Sequence, residues 1–242
     1  MQTLISSVVA VCAITVAGAA LAVAPACHAG SGPALTPVVE LYTSEGCSSC
    51  PPADRWLSTL KQDAAAGRVV VQAFHVGYWD YIGWVDRFAT PAHTARQRQL
   101  AAWNHLSGIY TPQLVRNGQD WRDYSRALSD AAPARASISL QATAPDAFEA
   151  TVIPADAGLS WSAYWAVTEN SHSSKVKAGE NAGEVLQHDF VVRQYVPAGD
   201  YRGKSSLTLR AIPAQAGHAR VISLVVFDPR SGKPLQALSL DC

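Results

Sequence analysis

Two cysteines three residues apart, Cys47 and Cys50, carry the most specific chemistry in the chain, in Glu40-Leu41-Tyr42-Thr43-Ser44-Glu45-Gly46-Cys47-Ser48-Ser49-Cys50-Pro51-Pro52-Ala53-Asp54. They follow an apolar strand-like run and precede a helix-like one. A thiol so placed becomes reactive when the positive end of a helix stabilises its thiolate, which lowers the pKa from ~8.5 to about 3.5–7.5. The first cysteine then attacks a substrate disulfide, and the second resolves the mixed disulfide. An inert staple is a weaker reading, because closing four residues removes only ~2 kcal/mol of unfolded-state entropy against ~3 for fifteen. A zinc half-site lacks a second Cys/His pair at ligand spacing.

The elements that must position this pair come from the pattern around it. From Pro37 to about Asp130, strand-like and helix-like segments alternate. Val38–Thr43 reads as a strand, and Ala53, Trp56, Leu57, Leu60 and Ala64 recur at helical spacing to a stop at Gly67. Arg68–Val76 is a second buried strand, followed by an irregular aromatic stretch with Trp79, Tyr81 and Trp84. Thr90-Pro91 opens a helix that ends at Gly108. Gln113–Arg116 is a third strand, Asn117-Gly118 a hairpin turn, and Asp120 is expected to cap a last helix through Trp121, Tyr124 and Leu128. Beyond a linker at Ala131–Ala136, six segments read as strands: 137–142, 148–153, 162–168, 184–195, 206–211 and 220–227.

Ser107–Gly118 is similar to the thioredoxin segment in which a cis-proline precedes a strand and an Asn-Gly hairpin. That resemblance implies that Pro112, with Thr111 beside it, faces the thiols and clamps the substrate backbone. Thioredoxins keep a buried carboxylate where this chain has Leu41; Glu40 stands one position away and is the candidate proton acceptor. Pro51-Pro52 disfavour helical geometry in the residues before them, so the helix is expected to start near them. Cys47 is then further from the helix end and less acidified than in strong oxidants.

The hallmark of Val39–Asp54, together with Phe74–Tyr81, Tyr110–Gln113 and Gly179-Glu180-Asn181-Ala182-Gly183 followed by Leu186, His188 and Val191-Val192-Arg193, resembles the exported thioredoxin-like proteins of domain-of-unknown-function family 1223. Members of that family usually have Asp where this chain has Gly77. The resemblance implies an α/β thioredoxin-like domain over 37–130 followed by a mostly β, sandwich-like C-terminal module over 134–242.

Charge balances at 19 basic and 19 acidic residues, which argues against a nucleic-acid surface. The first 29 residues carry no charged side chain and read as a signal peptide ending at Ala29, with an uncleaved anchor or a lipoprotein cysteine at Cys27 as alternatives. No later stretch is apolar and long enough to span a membrane. Cleavage removes Cys12 and Cys27 and leaves Cys242 as an odd cysteine, a free thiol or a disulfide partner. The expectation is an exported protein, periplasmic or secreted, that exchanges with protein thiols or disulfides and needs no cofactor. The competing reading is a non-catalytic module that binds copper or zinc through Cys47, Cys50 and His75, or binds a protein partner. His75 ends the second strand and, as a lone histidine, also suits a hydrogen-bonded core position. The loop at 179–183 and His188 either reach the thiol face or form a plain turn and strand.

Overall fold

The computed structural model describes residues 27–126, 128 and 132–241. Most of the signal-like segment, Cys12 and Cys242 lie outside the described residues, as does part of the expected linker. No helix among the described residues is long and apolar enough to cross a membrane.

The architecture is predominantly β. In chain order the strands are β1 (His28–Gly30), β2 (Val38–Thr43), β3 (Val70–His75), β4 (Gln113–Arg116), β5 (Gln119–Asp120), β6 (Ala136–Ala144) and β7 (Ala147–Pro154). There follow β8 (Ser160–Glu169), β9 (His172–Lys175), β10 (Val185–His188), β11 (Val191–Arg202), β12 (Ser205–Arg210), β13 (Arg220–Phe227) and β14 (Pro234–Asp241). The described helices are α1 (Cys50–Ser58), α2 (Lys61–Ala65) and α3 (Pro91–Trp103).

An eight-stranded sheet in the order β14-β13-β8-β11-β3-β2-β4-β5 runs through the molecule. This corrects the expectation of an α/β thioredoxin-like domain followed by a separate β module. The physical reason is the free edge of β3. Its backbone needs partners, and β11 supplies them in parallel at Val191↔Ala73, while the Ala73 amide donates to the Phe190 carbonyl at 2.8 Å. Strands from the two halves of the chain therefore share one sheet. The run 184–195, read as a single strand, breaks at Phe190, whose φ of 57° lets the chain leave β10 and enter β11 in a new direction.

One face of this sheet buries Tyr42, Phe74 and Val115 with Tyr164, Ala166 and Val225 beneath α3, through Leu100. The other face buries Val39, Leu41, Val71 and Leu114 beneath α1 through Ala53 and Leu57. Further along that face, Trp161, Trp165, Ile222 and Leu224 pack against Ile138, Leu140, Phe148 and Val152 of the four-stranded sheet β1-β6-β7-β12.

Residues expected at the signal cleavage point are part of this second sheet. His28, Ala29 and Gly30 pair with Gln141, Leu140 and Ser139, and Cys27 is disulfide-bonded. Thr90 caps α3 by accepting from the His93 amide, as its sequence indicates. Of the helix expected after Asp120, the described residues show a 3-10 turn at Tyr124–Arg126. The Asp120 carboxylate is taken instead by the Tyr110 hydroxyl at 2.7 Å and the Gln113 amide at 2.9 Å.

Candidate functional site

After β2 ends at Thr43 the chain folds into two tight turns, closed by the Cys47 amide to the Ser44 carbonyl at 3.1 Å and the Cys50 amide to the Cys47 carbonyl at 3.2 Å. Ser49 occupies the N-cap position, and Cys50 is the first residue of α1 with the two prolines in its first turn. The helix thus starts one residue before the prolines. Cys47 and Cys50 form a disulfide with Cα atoms 5.4 Å apart. Neither residue has any solvent-exposed surface, while Ser48 and Ser49 between them are exposed.

The loop joining β9 to β10 docks on this turn. The Asn181 side-chain amide donates to the Glu45 carbonyl at 2.8 Å and to the Cys47 carbonyl at 3.1 Å. Glu180 accepts from the Ser48 amide at 2.9 Å, and hydrogen bonding from the Ser48 hydroxyl and amide lowers its pKa. So the Gly179–Gly183 motif does reach the cysteine turn.

Around the pair lies a buried set of carboxylates and imidazoles. Asp54 stands one helical turn after Cys50 on α1 and accepts from the Thr43 hydroxyl at 3.0 Å. Burial raises its pKa, only partly opposed by His75 and His188. His75 Nδ1 meets Asp86 Oδ2 at 2.7 Å, and the same oxygen accepts from the Glu45 amide at 2.9 Å. Burial works against charge on His75, but the Asp86 carboxylate outweighs it and raises the pKa. Burial likewise opposes charge on Asp86, and His75 with two backbone amides lowers its pKa. Glu45 has no exposed surface; its Oε2 accepts from the Trp84 indole at 2.6 Å, and its Oε1 lies 3.3 Å from His188 Nε2. Those hydrogen bonds overcome the burial penalty and lower its pKa.

The Thr111–Pro112 peptide is cis. Trp79 links this loop to the cysteine turn: its indole N–H donates to the Thr111 hydroxyl at 2.8 Å, and its Cβ packs against Gly46. A Cβ on Gly46 would stand 2.9 Å from Trp79 Cβ, so only glycine allows this approach. Of the aromatic stretch, Trp79 and Trp84 turn inward, whereas Tyr81 is 81% exposed.

Glu40 is placed elsewhere. Its carboxylate is held by Arg96 at 2.9 and 2.6 Å and by the Tyr42 hydroxyl at 2.8 Å, on the α3 face of the sheet. Strand alternation puts Leu41, not Glu40, on the α1 side where the cysteines sit. The carboxyl group that accompanies the cysteines is Asp54. Glu45 lies inside the motif and Asp54 at its end, but only the tertiary structure reveals their burial. Asp86 sits in an irregular loop, where no periodicity marks it, and Asn181 acts from more than 130 residues away.

His75 joins this set, with its Nε2 buried and without a partner among the described residues. Among the described residues no group of three or more His, Cys, Asp or Glu side chains is arranged to hold a metal ion.

The model of a protein family of unknown function, DUF1223, matches residues 38–227. No curated protein matches the chain. Among solved structures, protein AGR_C_4864 of Agrobacterium tumefaciens is similar at 25% identity with a TM-score of 0.65, over 87% of this chain and 96% of that one. HBP35 of Porphyromonas gingivalis is similar in fold at 15% identity and a TM-score of 0.56, over 85% of this chain and 74% of that one.

Proposed function

The chain belongs to the DUF1223 family, and from that premise we propose that its Cys47–Cys50 pair exchanges disulfides with protein thiols in an oxidising compartment outside the cytoplasm. The observation that carries the reading is the disulfide at the start of α1 with a buried, protonatable carboxyl, Asp54, one turn below it. A disulfide that persists is characteristic of exported proteins, and the uncharged apolar start of the sequence fits that compartment.

In the exchange, a substrate thiolate attacks Cys47 Sγ. A new S–S bond forms as the Cys47–Cys50 bond breaks, and the electron pair leaves on Cys50 Sγ. Asp54, whose pKa burial raises, supplies the proton that makes Cys50 a neutral thiol. A second substrate thiol, deprotonated, then attacks the substrate sulfur bonded to Cys47; the two substrate sulfurs join, the bond to Cys47 breaks, and Cys47 leaves and takes up a proton. The substrate dithiol is oxidised by two electrons and the Cys pair is reduced by two. In this reading Thr111 and Pro112 border the bound chain, and the hydrogen bond from Trp79 to the Thr111 hydroxyl, which links them to the cysteine turn, supports it.

The test is single turnover of the oxidised protein with a reduced protein dithiol, in wild type, Cys47→Ser and Cys50→Ser. The expected result is one substrate disulfide formed per wild-type chain, none with Cys47→Ser, and a trapped mixed disulfide when Cys50→Ser, its Cys47 activated as a disulfide with a small thiol, meets a substrate variant that keeps a single thiol. A wild-type protein that transfers no disulfide would overturn the proposal.

A further inference from the structure

The cysteine turn points three backbone groups outward, the Ser48 amide and the carbonyls of Glu45 and Cys47, and two adjacent side chains of one loop take all three. That loop, residues 176–184, is closed on itself. Val176 donates to the Glu184 carbonyl at 2.9 Å, Gly183 to the Val176 carbonyl at 2.9 Å, and Glu184 to the Asn181 carbonyl at 3.1 Å. Its parent hairpin, β9 and β10, is a two-stranded sheet of its own, with no ladder to the eight-stranded or four-stranded sheets. Lifting the loop therefore breaks no strand pairing of the frame. It rests on the aromatic segment at Gly179, where φ is +76° and a Cβ would press on Ile82 at 3.2 Å.

Attack on a disulfide requires a thiolate to approach a sulfur, and both sulfurs are sealed. Whatever reacts at Cys47 must first displace this cover. An extended polypeptide offers alternating carbonyls and amides. Its carbonyl can accept from the Ser48 amide in place of Glu180, and its N–H can donate to the Cys47 carbonyl in place of Asn181. A compact small thiol offers no such series.

We propose that the 176–184 loop is a lid seated on the polypeptide-binding edge of the cysteine turn. Glu180 and Asn181 stand in for the backbone of the substrate, which is an extended protein segment that exchanges places with them. The inference rests on the redox reading of Cys47–Cys50 and names the substrate class of that same site. Glu180 and Asn181 act through the turn and are positioning residues.

The experiment follows reduction of Cys47–Cys50 in the full chain by dithiothreitol and, separately, by an unstructured peptide carrying two thiols. In each case the reagent's two thiols become a disulfide as two electrons and two protons pass to the Cys pair. Thiol alkylation reads the rate, and amide exchange at Ser48 reads the lid. Asn181→Ala loses two hydrogen bonds, and dithiothreitol is expected to reduce it about 10- to 30-fold faster than wild type. Glu180→Ala, an exposed position whose folding is not in question, is expected to gain about 10-fold and to unprotect the Ser48 amide. The gain with the peptide should be smaller, since the peptide itself opens the lid. Rates within about twofold of wild type in both variants overturn the lid. Equal gains for both reagents overturn the polypeptide substrate. A pair that stays oxidised in all three proteins refutes the redox reading instead.

Discussion

Replacing Arg96 by methionine is expected to destabilise the fold by about 3–5 kcal/mol, because it strips the counter-charge from a buried carboxylate. The geometry sets the scale. Arg96 approaches Glu40 with both Nε and Nη2, at 2.9 and 2.6 Å, and the two side chains are only 5% and 3% exposed. The guanidinium also lies 4.0 Å from the Tyr164 ring centroid. After the substitution Glu40 keeps the hydroxyls of Tyr42 at 2.8 Å and Tyr164 at 3.2 Å, which cannot neutralise it. With a urea m-value of about 2 kcal/mol/M, the midpoint should fall by about 2 M. The double substitution Glu40→Gln with Arg96→Met removes both charges and should recover all but about 1–2 kcal/mol. The assay is urea unfolding read by tryptophan fluorescence, alongside the rate of disulfide reduction in the folded protein. A loss below about 1 kcal/mol for Arg96→Met would refute the buried-pair argument. A Glu40→Gln protein with normal stability but tenfold slower exchange would restore Glu40 as the proton acceptor.

Three further outcomes are expected. The His75–Asp86 pair stabilises the fold through a raised imidazole pKa and a lowered carboxyl pKa, so its contribution is complete only above 3.8 and below 6.5. It is lost as pH rises through the folded value of His75 or falls through that of Asp86; Asp86→Asn should flatten both flanks in urea midpoints measured from about pH 3 to 9, and an unchanged profile counts against the pair. Asp54→Asn should slow the breaking of the Cys47–Cys50 bond about 100-fold in stopped-flow reduction. The same change should raise the unfolding midpoint at about pH 8, where ionising a buried acid of raised pKa otherwise costs stability; a faster or unaltered reduction rate argues against proton donation by Asp54. Gly46→Ala forces the new methyl to within 2.9 Å of Trp79 and should cost about 1–3 kcal/mol in thermal or urea unfolding, with no loss if the Trp79 contact is not structural.

The parts of the molecule legible from the residues are those governed by local rules. Thr90-Pro91 marks a helix start because the cap and the fixed proline φ act within one turn, and Asn117-Gly118 marks a hairpin because both residues adopt positive φ, 49° and 75°. The strand Arg220–Phe227 is apolar enough to be read to the residue. The parallel pairing of β3 with β11 was not legible, since Ala73 and Val191 are over a hundred residues apart and nothing local distinguishes a strand that joins one sheet from a strand that joins another. The site divides the same way. Cys47 and Cys50 announce themselves by spacing, whereas Asp86 and Asn181 act only because distant segments meet.

That meeting follows from the continuous sheet. β8 and β11 are antiparallel neighbours, and the chain between them, residues 170–190, carries the β9–β10 hairpin. β11 runs parallel to β3 from Val191↔Ala73 onward, so the chain just before it, with Phe190 packed by Val69 and Val71, lies toward the start of β3; the hairpin folds back from there to the other end of β3, where the His188 and His75 rings lie 4.9 Å apart. β2 runs parallel to β3 with Thr43 opposite His75, so the cysteine turn that follows Thr43 emerges at that same end. Folded back in this way, the hairpin places His188 beside Glu45 and Asn181 on the Cys47 carbonyl. Had the C-terminal strands formed a separate module, nothing would fix the hairpin over the cysteines to hydrogen-bond accuracy. The shared sheet therefore anchors the hairpin whose loop hydrogen-bonds the cysteine turn through Glu180 and Asn181.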